Sequence, residues 1–374
     1  MNGHKRVVLV GAGHAHLYTL KHARAVTERG YELVLIAPGN FWYSGLATGM
    51  LGGHYPPSVD RICVGALATR GGGRFVRDRV TRLDWRSRTL HLASGSTVTY
   101  DALSLNLGSE TPTIEGERER HERCFAVKPI NRLWDLHTAI KKCLSTKGAP
   151  PPRVVIAGSG ATAFELAANI LKLGQNFDAK LSMTILASGG EVLKQLPRRA
   201  ANALERSLHE RGLTVVRRSR AKMITDDAVI TKAGETHGYD LFVNATGLKP
   251  PSLAREAGLP TTDDGAMVVD ECLRSPVDAA IHGGGDCIAF DGGKLPKVGV
   301  YAIRQAPVLR HNLLAALMGN RPEQFRPQSR YLWIMNLGDG TGLAVRGTLW
   351  WQGQSAFRLK DWIDCRFLGQ FRTD

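Results

Sequence analysis

Residues 6–17 read Arg6-Val7-Val8-Leu9-Val10-Gly11-Ala12-Gly13-His14-Ala15-His16-Leu17, and a helical pattern continues to about Thr27. A short apolar run of this kind suits a parallel strand buried on both faces. Gly11 permits a tight turn after the strand, and Gly13 lets the backbone come close to a ligand. The helix that follows would point its N-terminus at an anion. Strand, glycine turn and helix start together predict a pyrophosphate cradle. The third glycine of the usual spacing is absent, because His16 stands there. The next apolar strand, Glu32–Ile36, runs into Ala37-Pro38-Gly39-Asn40, so the expected ribose carboxylate is absent too.

The pattern occurs a second time. Arg153–Ala157 leads into Gly158-Ser159-Gly160-Ala161-Thr162-Ala163-Phe164-Glu165 and an Ala- and Leu-rich helix. Gly158, Gly160 and Ala163 satisfy G-x-G-x-x-G/A in its alanine form. The following strand ends in Ala187-Ser188, again without a carboxylate. Two later segments fit the same plan. Leu241–Asn244 runs into Ala245-Thr246-Gly247, and Ala280–His282 runs into Gly283-Gly284-Gly285-Asp286. Asp286 there suits ribityl hydroxyls or a helix N-cap. The fold class expected is α/β, with two interleaved Rossmann-type domains for FAD and NAD(P) and a small C-terminal appendage.

The four elements in this order resemble the two-dinucleotide-binding-domain flavoprotein superfamily, the pyridine nucleotide-disulfide oxidoreductase-like proteins, over nearly the whole chain. Within it the sequence most resembles the type II NADH dehydrogenase-like branch, which includes sulfide:quinone reductases. Residues 11–17, 43–55, 299–305 and 357–367 resemble more narrowly the flavoprotein domain fused ahead of selenide, water dikinase. The resemblance implies FAD at Gly11, Gly13, His14, Ala37, Pro38, Ser44, Gly45, Val80, Gly108, Asp286, Tyr301 and Ala302. It implies NADH or NADPH at Gly158, Gly160 and Ala163, with Glu165 as a positioning group near the nicotinamide. Arg304 and Gln305 occupy the quinone-site position, where the branch carries two adjacent glutamines. Tyr43-Ser44-Gly45-Leu46 stands where the disulfide reductases carry a cysteine pair, which argues against a thiol relay. The implied chemistry is electron transfer from a nicotinamide donor through flavin to an acceptor, a quinone foremost. A slow NAD(P)H-sensing flavoprotein and a sulfur- or selenium-compound oxidoreductase are the alternatives.

The domain plan is discontinuous: residues 1–115 and 240–325 for flavin, 116–239 for nicotinamide, and 326–374 as the C-terminal part. Ser188, Lys194, Arg198 and Arg199 are candidates to accept a 2′-phosphate, with the arginines otherwise reading as the solvent face of the next helix, and the choice of NADH or NADPH stays open. His14 and His16, two apart at a helix start, point away from each other, and no metal site is expected. His54, in the glycine-rich loop, reads as a surface residue with proton donation as the other option. The six cysteines are scattered with no C-x-x-C pair and read as reduced structural thiols.

The net charge of +15, from 49 Lys and Arg against 34 Asp and Glu, comes with no nucleic-acid module, so nucleic acid is not an expected partner. No run approaches the roughly 18 apolar residues of a membrane span, and the N-terminus lacks a signal-peptide pattern. A cytoplasmic location is expected, with contact to the cytoplasmic face of the membrane left open. That contact would use residues 356–371, where Leu359, Trp362, Ile363, Phe367 and Phe371 share a helical face among cations. The same helix could instead dock on its own flavin domain or on a second copy in a homodimer.

Overall fold

The computed structural model describes residues 4–146 and 148–372. Arg6–Val10, with its four apolar residues buried, sits inside a six-stranded sheet. Glu32–Ile36 and then Arg74–Val76 extend the sheet on one side; Ala102–Leu105, Asp278–Gly283 and Arg274–Ser275 extend it on the other. All pairings are parallel except the last. The chain turns from one side of Arg6–Val10 to the other, which opens a crevice beyond the carboxyl ends of the strands. Gly11 and Gly13 lie in that crevice. The helices His14–Lys21 and Gly299–Met318 pack on each other and on this sheet.

A second sheet, entirely parallel, has five strands in the order Cys124–Ala126, Leu241–Asn244, Arg153–Ala157, Ser182–Leu186, Leu213–Val216. Its core is formed with the helix Ala161–Gln175, of which Phe164, Leu166 and Ile170 are fully buried. Two largely parallel sheets with flanking helices form an α/β fold of two Rossmann-type domains. The strand Leu241–Asn244 corrects the sequence reading, which had it in the returning flavin segment. It pairs with Arg153–Ala157 and Cys124–Ala126 instead. A fully buried apolar strand carries no mark of which sheet takes it.

The C-terminal part is a three-stranded antiparallel sheet, Trp333–Asn336, Gly342–Arg346 and Leu349–Gly353, followed by the helix Gln354–Gly369. Met335, Leu343 and Val345 join the core of the second sheet, whereas Leu368 and Phe371 join that of the first. This segment therefore packs across both halves. The apolar face expected for the helix is corrected as well. Ala356, Lys360, Asp364 and Leu368 turn inward, while Trp362 and Ile363 are 57% and 38% exposed. Lys360 and Asp364, one turn apart, bury together as an ion pair. Mutual neutralisation is what makes an inward-facing lysine tolerable.

Candidate functional site

Gly11 has φ +88°, and a Cβ added to it would stand 2.3 Å from the Asn106 carbonyl oxygen. A Cβ on Gly13 would stand 1.5 Å from Asn106 Oδ1. Asn106 in turn donates through Nδ2 to the Gly284 carbonyl at 2.9 Å. One amide side chain thus holds the first glycine loop against the turn that carries Asp286. His16, at the position of the missing third glycine, is fully buried. Its Nδ1 lies 2.6 Å from the Gly11 carbonyl and its Nε2 2.8 Å from Ser104 Oγ. A carbonyl can only accept, so Nδ1 carries the proton and Nε2 accepts from the serine. Burial lowers this imidazole to about 4, which keeps it neutral. His16 therefore fastens the loop to the neighbouring strand.

The loop opens onto a cavity of about 540 Å³. Gly13, His14, Ser44, Gly45, Gly108, Asp286 and Ala302 line it. Burial, reinforced by the Lys128 cation, pulls the His14 imidazole down to about 3. His14 is a neutral group here, set edge-on to Phe41 at 4.7 Å between ring centroids. Asp286 accepts from Ser109 Oγ at 2.9 Å. It lies inside the short turn Gly285–Cys287, which has no side-chain cap, so the N-cap role does not apply. Lys128 also lines the cavity; burial lowers its pKa and Asp286 opposes that shift. Nothing around Lys128 in the sequence marks it.

Other expected contacts fall elsewhere. Ala37, Pro38 and Val80 do not line this cavity; Ala37 N bonds the Val76 carbonyl at 3.2 Å. Tyr301 lines an adjoining cavity of about 610 Å³ that shares Asp286 and Ala302 with the first. Gln305 is buried, and its Oε1 accepts from Gly285 N at 2.8 Å. Arg304 is exposed and lines neither cavity. Each helical residue advances about 100°, which turns Arg304 some 200° from Ala302 and onto the outer face. The structure does not bring Arg304 and Gln305 together as an acceptor site.

The second glycine loop has the same logic. Gly158 has φ +151°, and a Cβ there would stand 2.5 Å from the Ala245 carbonyl oxygen. Gly160 precedes the helix Ala161–Gln175, and Ala163 is buried within it. Glu165, one turn on, reaches the main cavity. It accepts from Thr48 Oγ1 at 3.0 Å and from Asn336 N at 2.8 Å, and burial raises its pKa. Three separate segments meet at that carboxyl.

The cavity is also lined by the apolar residues Tyr331, Leu332, Trp333, Ile334 and Ile363. Beside it lies a buried polar cluster that sequence reasoning missed. Tyr43 donates to Asp364 Oδ1 at 2.8 Å, Lys360 pairs with Asp364, and Lys360 also donates to the Gly45 carbonyl. His54 stands apart, exposed against Tyr55 and Phe357. Asp60, fully buried nearby, has neither carboxyl oxygen partnered among the described residues. Burial, then the Asp364 charge, raises Asp60 from 3.8 to about 8. In the unfolded chain Asp60 ionises near 3.8, so the stability it contributes is present below that pH and is lost as pH rises toward 8. Asp60→Asn should therefore flatten the decline of the thermal midpoint between pH 4 and pH 8. An unchanged profile in thermal melts would remove Asp60 as the cause.

The residues fit a flavin nucleotide: two glycines whose Cβ positions are filled, a neutral helix start, and a carboxylate turn facing one cavity. Among the described residues no cluster suits a metal ion. Cys287 is buried, and burial pushes its thiol up to about 11, while Cys63 and Cys365 are exposed.

The family described as pyridine nucleotide-disulphide oxidoreductase matches residues 5–307. The ferredoxin reductase component of chlorobenzene dioxygenase from Cupriavidus sp. (strain PS12) is 27% identical over 390 residues, covering 95% of this chain and 86% of that one. The type II NADH:quinone oxidoreductase of Haemophilus influenzae is 27% identical over 181 residues, 45% of this chain and 41% of its own length. Among solved structures, the sulfide:quinone oxidoreductase of Aquifex aeolicus has a TM-score of 0.79 at 18% identity, covering 98% and 91% of the two chains. NDH2 from Plasmodium falciparum, in complex with NADH, has a TM-score of 0.79 at 13% identity, covering 97% of each chain. At these identities the structural likeness is one of fold.

Proposed function

This chain belongs to the pyridine nucleotide-disulphide oxidoreductase family, and on that premise we propose that it oxidises NAD(P)H and reduces a planar, quinone-like acceptor. FAD and NAD(P)H are the cofactors of this family, and an NAD(P)H-dependent flavoprotein oxidoreductase is the activity class. The observation that carries the acceptor is the cavity itself. One cavity is lined both by Gly13 and His14 of the glycine cradle and by the apolar residues Tyr331, Leu332, Trp333, Ile334 and Ile363. Such a lining suits a flat apolar ring system.

When bound, FAD supplies the two-electron redox chemistry between donor and acceptor. Gly11, Gly13 and the start of the helix His14–Lys21 would hold its pyrophosphate, with neutral His14 adding no repulsion or charge of its own. Asp286, oriented by Ser109, would take ribityl hydroxyls. Lys128, which lines the same cavity, would be a group available to stabilise negative charge on a bound cofactor. Gly158, Gly160 and Ala163 would hold the nicotinamide nucleotide. Glu165, buried and with a raised pKa, would orient the donor's head and keep a proton at hand. Asn106 and Gln305 position the cradle through the bonds described above.

Leu349, Trp351, Trp362 and Ile363 are exposed on the C-terminal part, amid Arg346, Arg358 and Arg366. Exposed apolar side chains and exposed cations on the same segment, with Arg366 over the Trp362 ring, support acceptor uptake at an anionic membrane surface. Among the described residues no helix is long and apolar enough to cross a membrane.

Ile363→Glu tests the acceptor bay, because Ile363 lines the cavity yet is 38% exposed, so the change leaves the core intact. The KM for a soluble naphthoquinone should rise roughly tenfold, as an apolar contact becomes a desolvated charge. The single-turnover rate of flavin reduction by NAD(P)H should hold. Rapid electron transfer to an added ferredoxin, with no quinone turnover, would point to a protein acceptor instead.

A further inference from the structure

The choice of donor is written in two loops beside the second glycine turn. The strand Ser182–Leu186 ends in Ala187-Ser188-Gly189-Gly190, where an NAD site would carry a carboxylate for the ribose 2′-hydroxyl. Glu191, the first acid after it, is 82% exposed and lies 3.8 Å from Lys194. The loop is fastened down, since Leu193 N donates to the Ser159 carbonyl at 2.8 Å. It therefore sits directly against the glycine turn.

The neighbouring strand, Leu213–Val216, continues into Arg217-Arg218-Ser219-Arg220. Arg218 N donates to the Gly189 carbonyl at 3.0 Å, and Ser219 N donates to the Ala187 carbonyl at 2.9 Å. Arg218 adopts φ +57°, a region non-glycine residues enter rarely. The result is a guanidinium brought over the end of the first loop. A Cβ added to Gly190 would stand 3.5 Å from Arg218 Nε and 3.9 Å from Nη2. These are ordinary van der Waals distances, so the guanidinium lies against the Gly190 backbone. Arg217 is taken by Glu205. Arg218 is exposed and, among the described residues, makes neither an ion pair nor a side-chain hydrogen bond.

We propose that Arg218, with the Ser188 hydroxyl and the Gly189–Gly190 backbone, forms an anion site for the 2′-phosphate of NADPH. NADPH is then the preferred donor. Arginine suits this because its planar fork binds a phosphate through two parallel N–H groups. The cations singled out in the sequence lie elsewhere: Lys194 pairs with Glu191, and Arg198 and Arg199 open the helix Arg198–Glu210 as exposed residues. The inference rests on the reading of Gly158–Gly160 as the nicotinamide-nucleotide loop.

Calorimetric titration of the flavin-loaded protein with 2′,5′-ADP and with 5′-ADP tests it without turnover. The 2′-phosphate should tighten binding on the order of 10- to 100-fold at low salt, as expected for hydrogen bonds to a charged group. Arg218→Gly keeps the left-handed backbone and should collapse that ratio to near one; Arg218→Lys should restore part of it. Lys194→Ala should leave the ratio intact. Equal affinity for the two ligands, or a ratio that survives Arg218→Gly, overturns the proposal while the nicotinamide site stands. Failure of both ligands to bind overturns the nicotinamide reading and this inference together.

Discussion

Gly11→Val should give a protein that folds but carries no flavin. At φ +88° a side chain strains the backbone by about 1–2 kcal/mol, and its Cβ would stand 2.3 Å from a main-chain oxygen that cannot rotate away. Overpacking of this kind costs about 1–3 kcal/mol more. The sum corresponds to a loss of flavin affinity between about thirtyfold and several thousandfold. The readout is visible absorbance of the purified protein and fluorescence quenching on titration with FAD. Asp286→Ala checks the same cradle without a backbone clash, because among the described residues the Asp286 side chain is held by Ser109 alone. If both variants retained flavin with unaltered affinity, the first glycine loop would not be the flavin cradle.

Gly158→Val should have the opposite phenotype, a yellow protein that NAD(P)H cannot reduce. A Cβ at φ +151° would stand 2.5 Å from the Ala245 carbonyl oxygen, so the second loop must open to admit it. The clash lies in the five-stranded sheet, away from the contact of Gly11 and Gly13 with Asn106. Anaerobic stopped-flow mixing with NADH and NADPH should show reduction slowed on the order of a hundredfold or more. Loss of colour together with loss of reduction would argue against two separable nucleotide sites.

Both glycine loops were legible because local sterics dictate them. A strand that ends in a positive-φ turn and opens a helix leaves a pattern within about ten residues. Glu165 was legible for the same reason, being one turn into the second helix. Asp286 was legible from its glycine turn, although its partner Ser109 was not. His16 looked like a defect in the first motif until its two bonds showed it tying Gly11 to Ser104. Lys128, Asn106, Asp60, Lys360 and Asp364 left no local signal. Their meaning depends on neighbours far along the chain, such as Gly284 for Asn106 and Tyr43 for Asp364.

The case for an α/β flavoprotein with two nucleotide loops thus comes from the sequence alone, through Gly11, Gly13, Gly158, Gly160 and the spacing around them. Backbone conformation and apolar periodicity are local properties, and a linear text carries them. Only the tertiary structure decided that Leu241–Asn244 joins the second sheet, that Arg304 faces out, and that Lys360 and Asp364 face in. Only it set Arg218 against Gly190, twenty-eight positions away in number and in contact through adjacent loops. The physical reason is common to all of these. Which sheet accepts a strand, which helix face is buried and which cation lacks a partner are settled by long-range packing and charge neutralisation, and those depend on residues that no local window contains.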